Sequence, residues 1–245
     1  MTDSIQQQTT FFYDAEAQSY DRIRYSSTQG GRIDRFHKMI LTAALARQVV
    51  KPSPVLELGC GTGRLLCFMA SHCDGLIGVD ISQGMLDVAK KKLIQSHLPH
   101  VGILRGNGQA LPFPDECFAM VYSILVINLI PDFYRVFLEV RRVLQHNGVF
   151  LFSVPNLSGL YYPAGAIVNR RQKSFGQNRK GSRYGHWFFN KEVRLALLQA
   201  GLQVDHVWGQ PPWTPFVNRV RPLPATSVGR FFSKSLYYLT SPKPT

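Results

Sequence analysis

The run Val55-Leu56-Glu57-Leu58-Gly59-Cys60-Gly61-Thr62-Gly63-Arg64 sends an apolar strand straight into glycines at alternate positions and then into a helical pattern. Glycines here let the backbone turn tightly and let a ligand lie against bare main chain. The register differs from the G-x-G-x-x-G of a dinucleotide site, and the G-K-[ST] ending of a phosphate loop is missing. A second element, Gly78-Val79-Asp80, puts a carboxylate at the tip of the next strand. From there it can accept both ribose hydroxyls of an adenosine lying between the two strands. The competing use of Asp80, capping the following helix, can be taken by Ser82 instead. Gly106-Asn107-Gly108-Gln109-Ala110-Leu111-Pro112-Phe113 follows the third strand and brings a side-chain amide toward an adenine edge. Ser123, with Ile124 and Leu125, ends the fourth strand and is expected to line the same crevice.

Alternating strands and helices must position these groups. The hydrophobic pattern predicts strands at 55–58, 76–80, 101–105, 118–125 and 149–154, with helices at 64–71, 84–96 and 133–144 between them. This rhythm implies βαβ units and a parallel sheet covered on both faces. Upstream, residues 31–50 carry Ile33, Phe36, Ile40, Leu41, Ala44 and Leu45 at helical spacing, and Pro52 and Pro54 follow. Beyond Pro155 the rhythm breaks into a basic, aromatic stretch. It resumes with a helix at 190–200 and strands at 202–208 and 236–240, the last two separated by the Pro-rich stretch 210–224. The expected organisation is one domain: a helical cap over 1–50, a binding core over 51–155, a substrate lid over 156–189 and a closing helix with strands over 190–245. A long segment without periodicity inside a compact domain is usually functional.

With 45% hydrophobic and 18% charged residues in 245, the chain has enough apolar surface for a sizeable core. This excludes collagen-like, disordered and disulfide-scaffold classes. The longest apolar run, Phe118–Ile130, is too short to span a bilayer and contains Asn128. Residues 1–10 are polar and lack the pattern of a secretion signal. The four cysteines (Cys60, Cys67, Cys73 and Cys117) form no CxxC pair, which suits buried thiols in a reducing cytoplasm. The net charge of +13 is one-sided. Residues 1–139 hold 13 basic and 13 acidic side chains, whereas residues 140–245 hold 15 basic and only two acidic, Glu192 and Asp205. Such a field attracts anionic substrates, phosphates or membrane surfaces.

Taken together the motifs resemble the class I S-adenosylmethionine-dependent methyltransferases, in the broad subgroup that includes quinone, sterol and small-molecule enzymes. Phe12-Tyr13-Asp14-x-x-Ala17-x-x-Tyr20-Asp21 looks like the segment that closes over the cofactor. Arg141-Arg142-Val143-Leu144-x-x-x-Gly148 looks like the lead into strand five. The resemblance implies a Rossmann-like α/β fold: a mostly parallel seven-stranded sheet with helices on both faces, ordered 3-2-1-4-5-7-6 with strand seven antiparallel, and a basic insert after strand five. It also implies S-adenosylmethionine as cofactor, held by Tyr20, Glu57, Gly59, Gly61, Gly63, Asp80, Ile81, Met85, Asn107, Gly108, Gln109 and Ser123. Two positions depart from the family pattern: Asn107 and Ala119 stand where aspartate is usual. The Asn107 carbonyl can still accept from an adenine amino group. No metal constellation of the catechol-methylating type is present.

The implied reaction is methyl transfer to a small-molecule acceptor, with a hydroxyl oxygen favoured. A general base assists such a transfer, and His186, in Tyr184-Gly185-His186-Trp187-Phe188, is the first candidate, with Tyr184, Tyr161 and Tyr162 as alternatives. In the insert, Arg170, Arg171, Lys173, Arg179, Lys180 and Arg183 stand among Tyr161, Tyr162, Phe175, Tyr184 and Trp187. That mixture suits an acceptor with an apolar body and an anionic group. It also suits a membrane surface, with Phe231, Phe232, Tyr237 and Tyr238 as anchors. Nucleic acid is the rival partner. The [N/D/S]-P-P-[Y/F/W] motif of amino-methylating enzymes is absent at Ser123-Ile124-Leu125-Val126, and Gln210-Pro211-Pro212-Trp213 lies after a much later strand. A second copy of the chain, and a non-catalytic role as a cofactor-binding partner subunit, complete the expectations.

Overall fold

The computed structural model describes residues 2–159, 185–211, 222–223 and 226–244. Its chain order begins with three helices, α1 (Thr2–Glu16), α2 (Tyr20–Tyr25) and α3 (Thr28–Leu45). Then follow β1 (Val55–Leu58), α4 (Arg64–Met69), β2 (Leu76–Asp80), α5 (Gln83–Gln95), β3 (Val101–Arg105), β4 (Phe118–Ser123), α6 (Phe133–Val143) and β5 (Leu144–Pro155). The described chain closes with α7 (Asn190–Gln199), β6 (Leu202–Gln210), α8 (Ser227–Phe231) and β7 (Ser235–Pro242).

The seven strands form one sheet in the order β3-β2-β1-β4-β5-β7-β6. The pairs from β3 through to β5 are parallel, and β7 runs antiparallel to both β5 and β6. The implied order and the antiparallel seventh strand are therefore present. β1 and β4 sit centrally, and every residue of β1 is buried. Side chains alternate between the two faces, as the pleat requires. Leu56, Leu58, Phe150, Phe152 and Tyr238 pack with Val136, Phe137, Val140, Val193 and Leu197 from α6 and α7. Val55, Leu151, Tyr237 and Leu239 pack on the other side with Phe36, Ile40, Leu65, Leu66 and Leu86 from α3, α4 and α5.

Side-chain caps fix where the helices start. Ser27, Ser82, Asp132 and Thr226 each accept from the backbone N–H three residues on, opening α3, α5, α6 and α8. Ser82 thus takes the capping role and leaves the Asp80 carboxylate for other use.

Two boundaries differ from the sequence reading. β5 begins at Leu144, where a helix was expected to end, because Leu144 pairs with Phe118 before the strand shifts register. The helix expected over 31–50 is α3, Thr28–Leu45, and helices precede it from Thr2 within the expected 1–50 cap. Most of the expected lid, residues 160–184, lies outside the described residues, but its two ends belong to the packed structure. The Asn156 amide donates to the carbonyls of Arg230 and Ser233, and Phe188 is buried in the core.

Candidate functional site

The carboxyl ends of β1, β2 and β4 open into a crevice, as expected where a doubly wound sheet reverses direction. Its floor is the β1–α4 turn. Gly59, Gly61 and Gly63 all adopt positive φ, at 76°, 52° and 73°. At Gly59 a Cβ would sit 2.3 Å from a methyl of Val126, whereas at Gly61 it would meet nothing within 4 Å. Bare main chain therefore faces open space at Gly61, and Gly59 lets the next wall approach. Gly63 does not line the crevice; it begins α4 and packs on Ala89 of α5.

Asp80 ties this turn to the neighbouring strand. Its two carboxylate oxygens accept separately, one from the Gly61 N–H at 2.7 Å and one from the Ser82 N–H at 2.9 Å. Burial pushes the Asp80 carboxyl upward, and the backbone donors of Ser82, Gly61 and Ile81 oppose that shift. Glu57 lies deeper in the cavity wall. Burial drives its carboxyl up to about 8, against the downward pull of the Tyr122 hydroxyl, which donates to it at 3.0 Å, and of the Arg64 charge. Burial thus favours the protonated form of Glu57.

Arg64, the residue directly after the glycines, lies with its guanidinium 4.2 Å from the Tyr25 ring centre and pairs with Asp34. It also contacts Nδ1 of the buried His37 at 3.1 Å. Burial, with Arg64 beside it, lowers the His37 imidazole to about 3, so it stays neutral. The loop after β3, Gly106 to Gln109, forms a further part of the lining. The Asn107 side-chain oxygen accepts from the Gln109 N–H at 3.0 Å, which turns the chain back on itself. Arg142 anchors the far end of that loop, donating to the carbonyls of Leu111 and Phe113 and to the carboxylates of Asp115 and Glu139.

The amino-terminal helices roof the cavity with Tyr13, Tyr20 and Tyr25. Two aspartates pin that roof. Asp14 accepts from the Ser82 hydroxyl at 2.5 Å and the Gly84 N–H at 2.8 Å, and Asp21 accepts from Thr62 at 2.7 Å and Lys92 at 2.5 Å. The remaining wall, formed by Ile124, Leu125, Val126, Leu129, Ile130 and Pro131, is apolar.

Of the residues expected to bind the cofactor, Tyr20, Glu57, Gly59, Gly61, Asp80, Ile81, Met85, Asn107, Gly108 and Gln109 line this one cavity. Ser123 does not. It is fully buried, and its hydroxyl donates to the Leu58 carbonyl at 3.0 Å, tying β4 to β1 beneath the floor. His186 is also outside the lining. Its Nε2 lies 2.9 Å from the Glu192 carboxylate, and its ring packs against Phe133 and Phe188. These contacts give it a role in seating α7. Tyr184, Tyr161, Tyr162 and the six basic residues of the insert lie outside the described residues. Tyr237 and Tyr238 are core residues and cannot be surface anchors, because β7 is interior to the sheet. Ile124 and Leu125 line the cavity as expected, whereas the sequence reading missed Arg64, Tyr25 and the rest of the wall from Val126 to Pro131; only Arg64 carried a signal, by directly following the glycines.

The residues present fit an adenosyl sulfonium cofactor. Exposed main chain at Gly61, a carboxylate at the β2 tip, a second acid within the wall and three tyrosines overhead surround one cavity. Residues 56–152 match the family described as a methyltransferase domain. An uncharacterized protein of Methanocaldococcus jannaschii is 26% identical over 212 residues, covering 81% of this chain and 77% of that protein. Demethylmenaquinone methyltransferase of Listeria monocytogenes is 34% identical over 118 residues, and the match spans 46% of this chain and half of that enzyme's length. The crystal structure of an S-adenosylmethionine-dependent methyltransferase from Thermotoga maritima superposes with a TM-score of 0.68 at 18% identity, over 95% of this chain and 98% of that one, and so shares the fold. Residues 56–152 thus resemble a methyltransferase domain, and the chain shares the fold of an S-adenosylmethionine-dependent methyltransferase.

Proposed function

We propose that this chain is a methyltransferase that moves the methyl group of S-adenosylmethionine to the ionised hydroxyl oxygen of a largely apolar small molecule that also carries an anionic group. The observation that carries the reading is one cavity that brings Glu57, Arg64, Asp80, Asn107 and Gln109 together with an apolar wall of Ile124, Leu125, Val126, Leu129, Ile130 and Pro131. S-adenosylmethionine supplies an electrophilic methyl on a sulfonium, so the protein's task is to align the acceptor and exclude water. Asp80 and the glycine turn hold the adenosyl end, Arg64 and a Glu57 that ionises beside the bound cation offer opposite charges to an amino-acid end, and the tyrosine roof shuts out solvent. Among the described residues no histidine lines the cavity. That favours an acceptor that ionises by itself in water, such as a phenol or enol. The name of the Listeria relative adds support for a small-molecule acceptor.

An apolar acceptor of this kind partitions into lipid, and one surface suits such delivery. Phe231 of α8 shares a surface groove with Phe189, Leu195 and Lys191, and Val228 (67% exposed) and Phe232 are exposed as well, in the strongly basic half of the chain. Among the described residues no helix is long and apolar enough to cross a membrane. The test is incubation with methyl-labelled S-adenosylmethionine and long-chain phenols presented in anionic vesicles, in neutral vesicles, and alongside RNA. Label in a phenolic ether, formed faster from anionic vesicles, is the expected result. Label confined to RNA would overturn the reading.

His186 yields a separate expectation. His186→Ala removes a hydrogen bond to a carboxylate, worth about 1–3 kcal/mol, and should lower Tm by several degrees. Affinity for S-adenosylhomocysteine and the transfer rate should each stay within about threefold. Calorimetry and the labelled assay check both, and a hundredfold slower transfer at unchanged affinity would return His186 to the chemistry.

A further inference from the structure

Leu125 is one of three described non-glycine residues with positive φ, at 64°, and of the three it alone lines the cavity. Leucine is poorly suited to this left-handed conformation, because its Cβ crowds the following carbonyl. Such a residue persists only where its surroundings impose the bend, and such bends gather at ligand sites. Here the surroundings are specific. The hydroxyl of Ser153, a buried residue of β5, accepts from the Leu125 N–H at 2.9 Å. On the next residue, Val126 packs against the space that Gly59 leaves empty. The bend is thus gripped on one side by β5 and on the other by the glycine turn. Its product is an apolar side chain left 37% exposed at the mouth of the apolar wall.

We infer that Leu125 is a specificity-determining residue, its side chain limiting how bulky an acceptor can be, and that Ser153 is the positioning residue that aims it. This rests on the methyl-transfer reading above and adds the group that selects the acceptor. Contact at the acceptor end explains why a leucine stands where glycine or asparagine would sit without strain.

The test compares binding of phenol and 4-phenylphenol, by saturation-transfer NMR with S-adenosylhomocysteine present, in wild type, Leu125→Ala, Leu125→Gly and Ser153→Ala. Removing the side chain should shift the preference toward the larger ring system by about tenfold or more, the scale at which pocket methylenes discriminate. S-adenosylhomocysteine affinity should stay within twofold. Ser153→Ala should move the preference in the same direction by less. The two truncations also read the backbone. Glycine normally costs stability relative to alanine, but here Leu125→Gly should melt about 2 °C above Leu125→Ala, because only glycine accepts this φ freely. An unchanged preference with S-adenosylhomocysteine still bound overturns the inference and spares the functional reading. Failure of wild type to bind S-adenosylhomocysteine overturns both.

Discussion

Glu57→Gln is expected to make the ligand-free protein more heat-stable and to remove most of its affinity for S-adenosylmethionine. The two effects share one cause. Burial holds the Glu57 carboxyl near 8, against 4.5 for an unperturbed glutamate, so the folded state keeps a proton that the unfolded chain releases. Between those values the unfolded state binds fewer protons, and stability falls as pH rises. Below pH 4.5 both states are protonated and this penalty vanishes. At pH 7–8 it is on the order of 3 kcal/mol. Glutamine keeps the acceptor for the Tyr122 hydroxyl and has nothing to ionise, so the penalty disappears. Tm should rise by roughly 5–10 °C at pH 8, with little change at pH 4.5, as differential scanning calorimetry at both pH values would show. A cationic cofactor draws Glu57 into its charged form, so wild-type binding should release a proton and weaken up to tenfold per unit as pH falls below about 8. Calorimetry in buffers of different ionisation enthalpy detects that proton. Equal binding by the glutamine variant, or no proton release by wild type, would remove Glu57 from cofactor recognition.

Asp80→Ala should raise the dissociation constant for S-adenosylhomocysteine by at least about a hundredfold. The carboxylate clasps the Gly61 and Ser82 N–H groups, and hydrogen bonds to a charged group are worth about 1.5–3 kcal/mol each. Without it the glycine turn loses its tether to β2, and ribose hydroxyls lose their acceptor. Asp80→Asn tests charge against shape: its amide oxygen can serve one of the two backbone donors, but its NH₂ would face the other, so much of the loss should remain. Isothermal titration with S-adenosylhomocysteine measures both. Affinity within threefold of wild type in the alanine variant would show that the β2 tip is not the ribose site.

The elements around Asp80 were the easiest to read from sequence. β1, β2 and β3 begin and end where the apolar-rich runs do, because a parallel strand in a covered sheet is built mostly from apolar residues. The strand order required the resemblance, since spacing alone does not say which strand lies beside which. Ser123 was misplaced for a related reason: a polar residue at a strand end looks solvent-facing until the partner strand is known, and here the partner is the Leu58 carbonyl. His186 misled because chemical aptitude carries no direction; Glu192 and two phenylalanines turned out to surround it. Leu125 was expected to line the crevice, but no leucine advertises a left-handed backbone. That conformation is imposed from β5, about 28 residues away in sequence.

The position of β7 has a consequence for how the chain is made. β5 and β6 never touch; each waits for β7. During synthesis β5 is finished at Pro155, and its antiparallel neighbour follows about 80 residues later. At ribosomal speeds that delay is on the order of ten seconds, during which a strand bearing Phe150 and Phe152 has an open edge. Such edges are templates for mispairing. A nascent chain stalled before Ser235 would carry its cofactor crevice on an unfinished sheet, making it a natural client for chaperones.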